Sequence, residues 1–537
     1  MTGPRLPAEQ ALGSVAELLA RTARCHPDRP SVTTAGQTLT YAELQDAARS
    51  AAHGLQRSGV RPGDPVVIAL PNGPAFLVAF FGALIAGAVA VPVFPGRTPE
   101  RIAAVARLAG ASVLIAPAQA AGRPAPPGRE RLTVLRPADL AGSGSPRPAP
   151  ADQELPCYIQ YTSGSTADPR GVVITHRNLL ANIAQMTDAM DITPDDVFVS
   201  WLPTYHDMGL TLMALTPFSL GARLVLLPTD LRDVAGWLAA MQAHRATFTA
   251  GPDFAYRLCL RNVRDRGQFD LSSLRVCMDA AEPVRAATLA GFEAAFGLRH
   301  VMMTGYGLAE ATLSVTCTPR GQPVDVDDRG LVCLGEPMAG TAVKIIGQEN
   351  EPLPAGQQGE IVVAGPSTCA GYHGNPAASA ALAWRDGFIR TGDLGYLDQA
   401  GRLYFTARRK DVINVAGRTL YPQEVEQVTD EVGGVRLAAA VGIDRGGVDG
   451  EQLYIFAEAR EAGTASAAEL QALTVEITRS VHDAIGVRPK ATMLLHPRRL
   501  PMTANGKLRR TTLRDAFTEG SLAYGSDIVF PLPPPPR

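Results

Sequence analysis

Through the first three hundred residues, short apolar runs with strand character alternate with helical stretches. The runs are Pro65–Leu70, Val113–Ile115, Val172–Thr175, Val197–Trp201, Arg223–Leu227 and Leu274–Met278. A chain patterned this way folds into α/β layers with helices covering sheets, because each element has an apolar face that needs a partner layer. After Leu331 the texture changes to shorter strands, at Leu331–Gly335, Ala342–Ile346, Gly359–Ala364 and Leu403–Thr406, joined by Gly-rich turns. Past Lys410 a second α/β stretch follows, with strands at Leu437–Ile443 and Gln452–Ala457 and a helix at Ala467–Ile485. The reading is an α/β protein in which residues 1–408 form a large domain of layered sheets flanked by helices, with a β-rich subdomain. Residues 409–520 form a small α+β C-terminal domain, and the boundary falls near Arg408–Asp411. Residues 521–537 read as a Pro-rich tail, since Pro531–Pro536 suits neither a helix nor a central strand. Pro117–Pro150, rich in Pro, Ala and Gly, reads as a surface connection.

Composition narrows the function classes. At roughly 100–200 residues per domain, 537 residues make two to five folding units. Apolar residues at 46% against 19% charged describe a globular chain. Lys+Arg 50 against Asp+Glu 52 leaves a net charge of -2, which excludes a generally basic nucleic-acid surface. The only lysines are Lys344, Lys410, Lys490 and Lys507, so a position that keeps lysine is a candidate for needing an ammonium point charge. Seven scattered cysteines without a C-x-x-C pair argue against a disulfide scaffold or zinc site, and for reduced, mostly buried thiols in a cytoplasmic protein. The N-terminal stretch Leu12–Ala23 carries Glu17 and Arg21, unlike a signal peptide. The uncharged run Asn72–Gly96 is long enough to span a bilayer, but Gly82, Gly87, Pro92 and Pro95 break it. It reads instead as a buried helix over Pro74–Ala86 followed by a strand, with no membrane span.

The chemistry begins at Tyr161-Thr162-Ser163-Gly164-Ser165-Thr166-Ala167-Asp168-Pro169-Arg170-Gly171. Hydroxyls around a glycine, then a cation, then a strand are what a loop needs to wrap polyphosphate oxygens. The Walker pattern is absent, because its second glycine and lysine have no counterpart here. Five further segments accompany the loop in order. They are Trp201–Leu210 (WLPTYHDMGL), Gly305–Thr312 (GYGLAEAT), Arg390–Gly395 (RTGDLG), Ala407–Asp411 (ARRKD) and Ala504–Lys507 (ANGK). From about Gly13 to Phe517 this set resembles the adenylate-forming superfamily of acyl-CoA synthetases, fatty acyl-AMP ligases and peptide-synthetase adenylation domains. The wording YHDMGL, GPDFAY, AEPVRA and GLAEATL looks most like fatty acyl-AMP ligases.

The resemblance implies a ligase that uses ATP and Mg²⁺ to activate a hydrophobic carboxylic acid as acyl-AMP and then passes the acyl group to coenzyme A. Residues 1–408 would bind the adenylate, and a mobile C-terminal domain would carry Lys507, the lysine that touches carboxylate and α-phosphate. Glu310 resembles the Mg²⁺ carboxylate, with Thr162 beside it. Thr162, Ser163, Gly164, Ser165, Thr166 and Arg170 would hold phosphate. Tyr306 would stack on adenine beside Gly307, Ala281 and Glu282; Asp393 would bind the ribose hydroxyls and Arg408 the ribose or phosphate. Lys410 falls at the hinge, and Gly417 would let pantetheine pass close to the backbone. His206, counted with the catalytic residues, would line the acyl side with Met208, Leu210, Phe254, Asp279, Ala280 and Gly305. For His206 a satisfied core histidine is the alternative.

Three departures from the family pattern stand out. Ala167 and Arg170 replace a common Gly and Lys, and Asp279-Ala280 replace Asn-Gly before Ala281-Glu282-Pro283. These bear on the first half-reaction and leave open an enzyme that takes a preformed acyl-adenylate. Leu313–Gly330 is as short as in acyl-CoA synthetases and lacks the insertion usual in fatty acyl-AMP ligases, which favours CoA over an acyl carrier protein as acceptor. Rival readings are a nucleotide-binding sensor without turnover and a P-loop ATPase. The acid itself reads as fatty, polyketide or terpenoid-like.

Overall fold

The computed structural model describes residues 12–117, 132–162, 169–229, 233–415, 418–444, 451–502, 508–523 and 525–530. Among the described residues the largest sheet has nine strands. Their order is Glu336–Pro337, Ser314–Cys317, Met302–Gly307, Val276–Asp279, Phe248–Gly251, Val197–Ser200, Arg223–Leu226, Pro30–Thr34 and Gln37–Thr40. The strands from Met302–Gly307 to Pro30–Thr34 run parallel, and antiparallel strands close both edges. A second sheet is ordered Thr133–Leu135, Val113–Ile115, Pro65–Ile68, Val89–Pro92, Pro156–Thr162 and Arg170–Thr175, parallel except for its last pair. Strands covered on both faces read as continuous apolar runs, which is why Val66, Val67 and Ile68 are all fully buried.

The uncharged run resolves into the helix Pro74–Ile85 and the strand Val89–Pro92. Phe76, Phe80 and Phe81 on that helix are fully buried. Its Gly82 permits close packing on the helix Tyr41–Arg57, since an added Cβ would lie 2.8 Å from Ala51 Cβ. Among the described residues no helix is long and apolar enough to cross a membrane.

An antiparallel meander of Ala342–Ile346, Gly359–Ala364, Ile389–Leu397 and Leu403–Arg408 follows. The apolar cluster that unites the two large sheets ends at Leu403, and separate clusters from Ile413 to Ile528 fill the C-terminal unit. That unit holds the sheet Val435–Asp444, Glu451–Ala459, Ala491–Leu495 and Ile528–Phe530. The helix Ala467–Ile485 packs against it, opened by a Ser466/Glu469 capping box and closed by Gly486 at φ 73°.

Some expectations shift. Leu331–Gly335 is no strand: Val332 and Cys333 make only single bridges to Val326 and Tyr404. The Pro117–Pro150 connection contains the edge strand Thr133–Leu135 and a turn that buries Leu140. Residues 521–537 are not all tail, because Ile528–Phe530 pairs antiparallel with Ala491–Leu495; residues 531–537 lie outside the described residues. Cys25 is exposed and the other six cysteines are buried and free.

Candidate active site

The candidate nucleotide side forms where the parallel sheet meets the meander. Tyr306 lies near the C-terminal end of Met302–Gly307, and Asp393 stands directly opposite Arg408 in the pair Ile389–Leu397 and Leu403–Arg408. The buried Tyr306 hydroxyl donates to Asp393 Oδ2 at 2.7 Å, and Arg408 Nε lies 3.5 Å from Asp393 Oδ1. Burial, then the Asp393 charge, pushes the Tyr306 phenol well above its usual pKa, so it stays a donor. Gly392 at φ 70° makes the turn that lets the Asp393 N–H reach Thr391 Oγ1 at 3.1 Å. Phe405 stacks behind Tyr306, ring centroids 6.3 Å apart.

The candidate phosphate side is joined to it by cations. Arg170 faces Thr162 across the strand pair and lies over the Tyr372 ring, 5.5 Å from its centroid. The Tyr372 hydroxyl in turn donates to Glu310 Oε1 at 2.7 Å. Glu310 is half-buried on the turn Ala309–Ala311, and its carbonyl accepts the Cys369 N–H at 2.8 Å. Directly after it, Thr312 holds φ 68° and ψ -55° in a γ-turn closed by Leu313 N–H to Ala311 O at 2.8 Å. A β-branched residue there stores roughly 1–3 kcal/mol, offset in part by Thr312 Oγ1 donating to Ser367 O at 2.7 Å. A half-exposed carboxylate fits Mg²⁺, which takes one or two carboxylates plus phosphate and water oxygens; no cluster of three acidic, His or Cys ligands occurs among the described residues.

Lys410 sits on the single turn Arg409–Asp411, which directly follows Arg408. Burial, followed by the field of Arg408, lowers its pKa, and Asp393 and Arg170 also act on it. Arg510 ties this turn into the C-terminal unit, donating to Asp411 Oδ2 at 3.2 Å and to Glu426 Oε2 at 2.6 Å.

On the expected acyl side, Met208 and Leu210 are buried in the π-helix Met208–Leu215, a conformation frequent at functional sites. Gly209 is required there, because an added Cβ would lie 2.1 Å from Pro203 O. His206 Nδ1 lies 2.6 Å from Asp207 Oδ1, and Phe254 meets Trp201 edge-on at 6.4 Å. Gly305 lets the neighbouring strand pass, an added Cβ meeting Thr316 O at 2.7 Å, and Gly307 does the same for Leu313 O.

Asp279 has charged neighbours where apolar acyl walls are expected. It is paired in register with Gly251, whose missing Cβ would face Ala255, Trp237 and Tyr256, so both residues turn toward the helix Asp253–Asn262. Fully buried, its two carboxyl oxygens find no hydrogen-bond donor among the described residues. Burial, then Asp253 and Glu282, raises its pKa far above the carboxylate range, so it is held neutral. Ala280 packs on the core beside it, and Ala281 turns at φ 73°. Glu282 accepts the Phe254 N–H in the first turn of that helix, and burial followed by Asp253 raises it to about 7. Arg257 Nε reaches Asp253 Oδ2 at 2.7 Å. Ser163, Gly164, Ser165, Thr166, Ala167, Gly417 and Lys507 lie outside the described residues.

Sequence reasoning passed over Tyr372, Asp253, Arg257, Arg285, Asp430 and Arg510. Tyr372, set between Gly371 and Gly374 in GYHG, carried a weak signal, and Asp253 and Arg285 lie inside the quoted GPDFAY and AEPVRA segments; Arg257, Asp430 and Arg510 are ordinary helix charges until the fold gathers them.

Comparison with known proteins identifies the family. Residues 19–373 match the AMP-binding enzyme family and residues 417–513 the AMP-binding enzyme C-terminal domain. The chain is 31% identical to a putative acyl-CoA synthetase of Caulobacter vibrioides, covering 91% of each. It is also 31% identical to the medium-chain-fatty-acid–acyl-carrier-protein ligase JamA of Moorena producens, covering 90% of each. A structure from studies of fatty acyl-adenylate ligases from E. coli and L. pneumophila superposes with a TM-score of 0.85 at 27% identity, covering 97% of this chain and 99% of that one. The chain therefore belongs to the AMP-binding enzyme family, within the adenylate-forming superfamily, and is an ATP-dependent acid–thiol ligase.

Proposed function

We propose that the enzyme joins a hydrophobic carboxylic acid to coenzyme A in two half-reactions. In the first, a carboxylate oxygen attacks the α-phosphorus of ATP, a C–O–P link forms, and pyrophosphate leaves. In the second, the thiol sulfur attacks the acyl carbonyl, the thiol proton is lost to water, and AMP leaves. The observation that carries this reading is the pair of linked groups Tyr306–Asp393–Arg408 and Glu310–Tyr372–Arg170. A nucleotide lying across them would meet Tyr306 at its base, Asp393 and Arg408 at its sugar, and Arg170 at its phosphates. Glu310 and Thr162 would hold Mg²⁺, which supplies charge neutralisation to the phosphate oxygens. Lys507 would serve the adenylation step, Lys410 the hinge, Gly417 the pantetheine path, and Ala281 and Glu282 the loop beside adenine. His206, Met208, Leu210, Phe254 and Ala280 would border the acyl chain.

A carrier-protein acceptor is the second reading, favoured by the likeness to JamA. Against it stands the short Leu313–Gly330 segment, of which Ser314–Cys317 is already sheet. Mass spectrometry of one reaction with ATP, Mg²⁺, CoA and a panel of medium-to-long and polycyclic acids tests this. Acyl-CoA is the expected product. Acyl-adenylate alone would transfer the assignment to a carrier protein; acyl-CoA formed only from added synthetic acyl-adenylate would mean that the first step is lost.

A further inference from the structure

Residues 367–373 bond to both parts of the candidate phosphate side. On one side Thr312 Oγ1 donates to Ser367 O at 2.7 Å and the Cys369 N–H donates to Glu310 O at 2.8 Å, which fixes the turn carrying Glu310. On the other, the Val173 N–H donates to Gly371 O at 3.1 Å and the His373 N–H to Gly171 O at 2.7 Å. Tyr372 lies between these last two bonds, in an antiparallel bridge with Val172 of the strand Arg170–Thr175. Its own N–H donates to Ser379 Oγ at 2.9 Å, on the helix Pro376–Leu382. Gly371 has φ 145°, and a Cβ there would stand 2.6 Å from the same Ser379 Oγ, so glycine is what lets the backbone take this path.

With its backbone fixed, the Tyr372 side chain reaches both parts of the site. The hydroxyl donates to Glu310 Oε1 at 2.7 Å. Burial, then the Glu310 charge, pushes the phenol up, so it keeps its proton and remains a donor. The ring carries the exposed Arg170, whose Cζ lies 5.5 Å from the centroid, within reach of a cation–π contact. One side chain therefore holds a carboxylate by its tip and a guanidinium by its face. Mg²⁺ demands near-ideal octahedral geometry, so a carboxylate serves it best when a hydrogen bond has already set its orientation.

We infer that Tyr372 is a positioning residue for the adenylation step: its hydroxyl orients Glu310 for the magnesium ion of MgATP, and its ring steadies Arg170 for the phosphates. This rests on the reading of Glu310 and Arg170 given above and divides two tasks within one side chain. Tyr372→Phe keeps the ring and loses the donor, whereas Tyr372→Leu loses both, so the two variants separate the tasks.

Calorimetric titration of the full chain with ATP at a series of Mg²⁺ concentrations, and with pyrophosphate in the absence of metal, tests the role. Tyr372→Phe is expected to raise the Mg²⁺ concentration that half-saturates ATP binding by about tenfold or more, the usual scale for losing the partner of a metal-ligating group. Its metal-free pyrophosphate affinity should move less than about twofold, against a fall of about two- to fivefold in Tyr372→Leu. Glu310→Gln, the reference variant, should bind ATP alike with and without Mg²⁺. A magnesium requirement unchanged in Tyr372→Phe but lost in Glu310→Gln overturns the positioning role and leaves the reading of Glu310 intact. Equal losses with and without metal in Tyr372→Phe would make the tyrosine a structural prop and overturn the role as well. Unchanged pyrophosphate binding in Tyr372→Leu overturns the part played by the ring. The phenylalanine variant, which keeps the ring in place, decides the metal task even where the leucine variant does not fold. If Glu310→Gln keeps the wild-type requirement, or the wild type shows none, the reading of Glu310 fails and the positioning role falls with it.

Discussion

Two charged clusters, one open to solvent at Arg408 and one largely buried, are assembled on opposite terms. Tyr306, Asp393 and Arg408 make a short chain in which one carboxylate has a phenolic donor at 2.7 Å and a guanidinium at 3.5 Å. The second cluster sets four carboxyl groups, Asp253, Asp279, Glu282 and Asp430, against Arg257 and Arg285. In the first, charge is matched before any ligand arrives, which is how a site is preorganised without reorganisation cost during reaction. In the second the acids outnumber the cations, so the fold must retain protons on some of them. The matched cluster is fit to bind, whereas the unmatched one makes stability depend on pH.

The largest effect is expected from breaking the matched cluster. Asp393→Ala should lower ATP–pyrophosphate exchange by roughly 10²–10³-fold, the usual scale for losing a preorganised polar group. Its melting temperature should change little by comparison. An unchanged exchange rate would remove Asp393 from the nucleotide site and with it the contrast between the clusters.

A smaller effect separates them by pH. In the fold Glu282 keeps its proton to about 7, against an ordinary 4.5, and Asp430 to about 6, against 3.8. The native state therefore binds more protons than the unfolded chain within those windows, and stability is lost as pH rises through them. Glu282→Gln, which still accepts the Phe254 N–H, should flatten that loss by at most about 1.4 kcal/mol per pH unit. Denaturant midpoints from pH 5 to 8 measure it; parallel slopes for wild type and variant would show Glu282 to titrate normally.

Smallest of the three is Asp279→Asn. Replacing this buried carboxyl by an amide removes the last chance of a buried charge beside Asp253 and Glu282. A gain of about 1 kcal/mol would raise the melting temperature by a few degrees at pH 8. A fall instead would mean that the buried carboxyl is not a source of repulsion in the fold.

Much of the fold was legible in the residues. The helix Ala467–Ile485 has the bounds its sequence suggests, and in the structure Ser466, Glu469 and Gly486 cap it with contacts that act within one turn. Val113–Ile115 and Gly359–Ala364 were equally plain as apolar runs between turns. Leu331–Gly335 misled, since its apolar content serves packing in a loop whose backbone bonds go to single bridges, and composition alone does not tell a bridge from a ladder. The motif residues Tyr306, Asp393, Arg408 and Glu310 were found by resemblance. Tyr372, which ties Glu310 to Arg170, was missed because its role exists only once Gly371 and His373 dock on the strand Arg170–Thr175.

By itself, then, the sequence determined the α/β layering, the run of motifs and the membership in an AMP-binding family, because periodicity and motif spacing are written along the chain. Only the tertiary structure decided which charges meet. Asp279 is paired with its acidic neighbours by strand register and by the face its side chain takes, which alternates with every residue. Arg285 meets Asp430 across 145 positions of chain. Electrostatic energy depends on distance in space, and no spacing in the sequence encodes it.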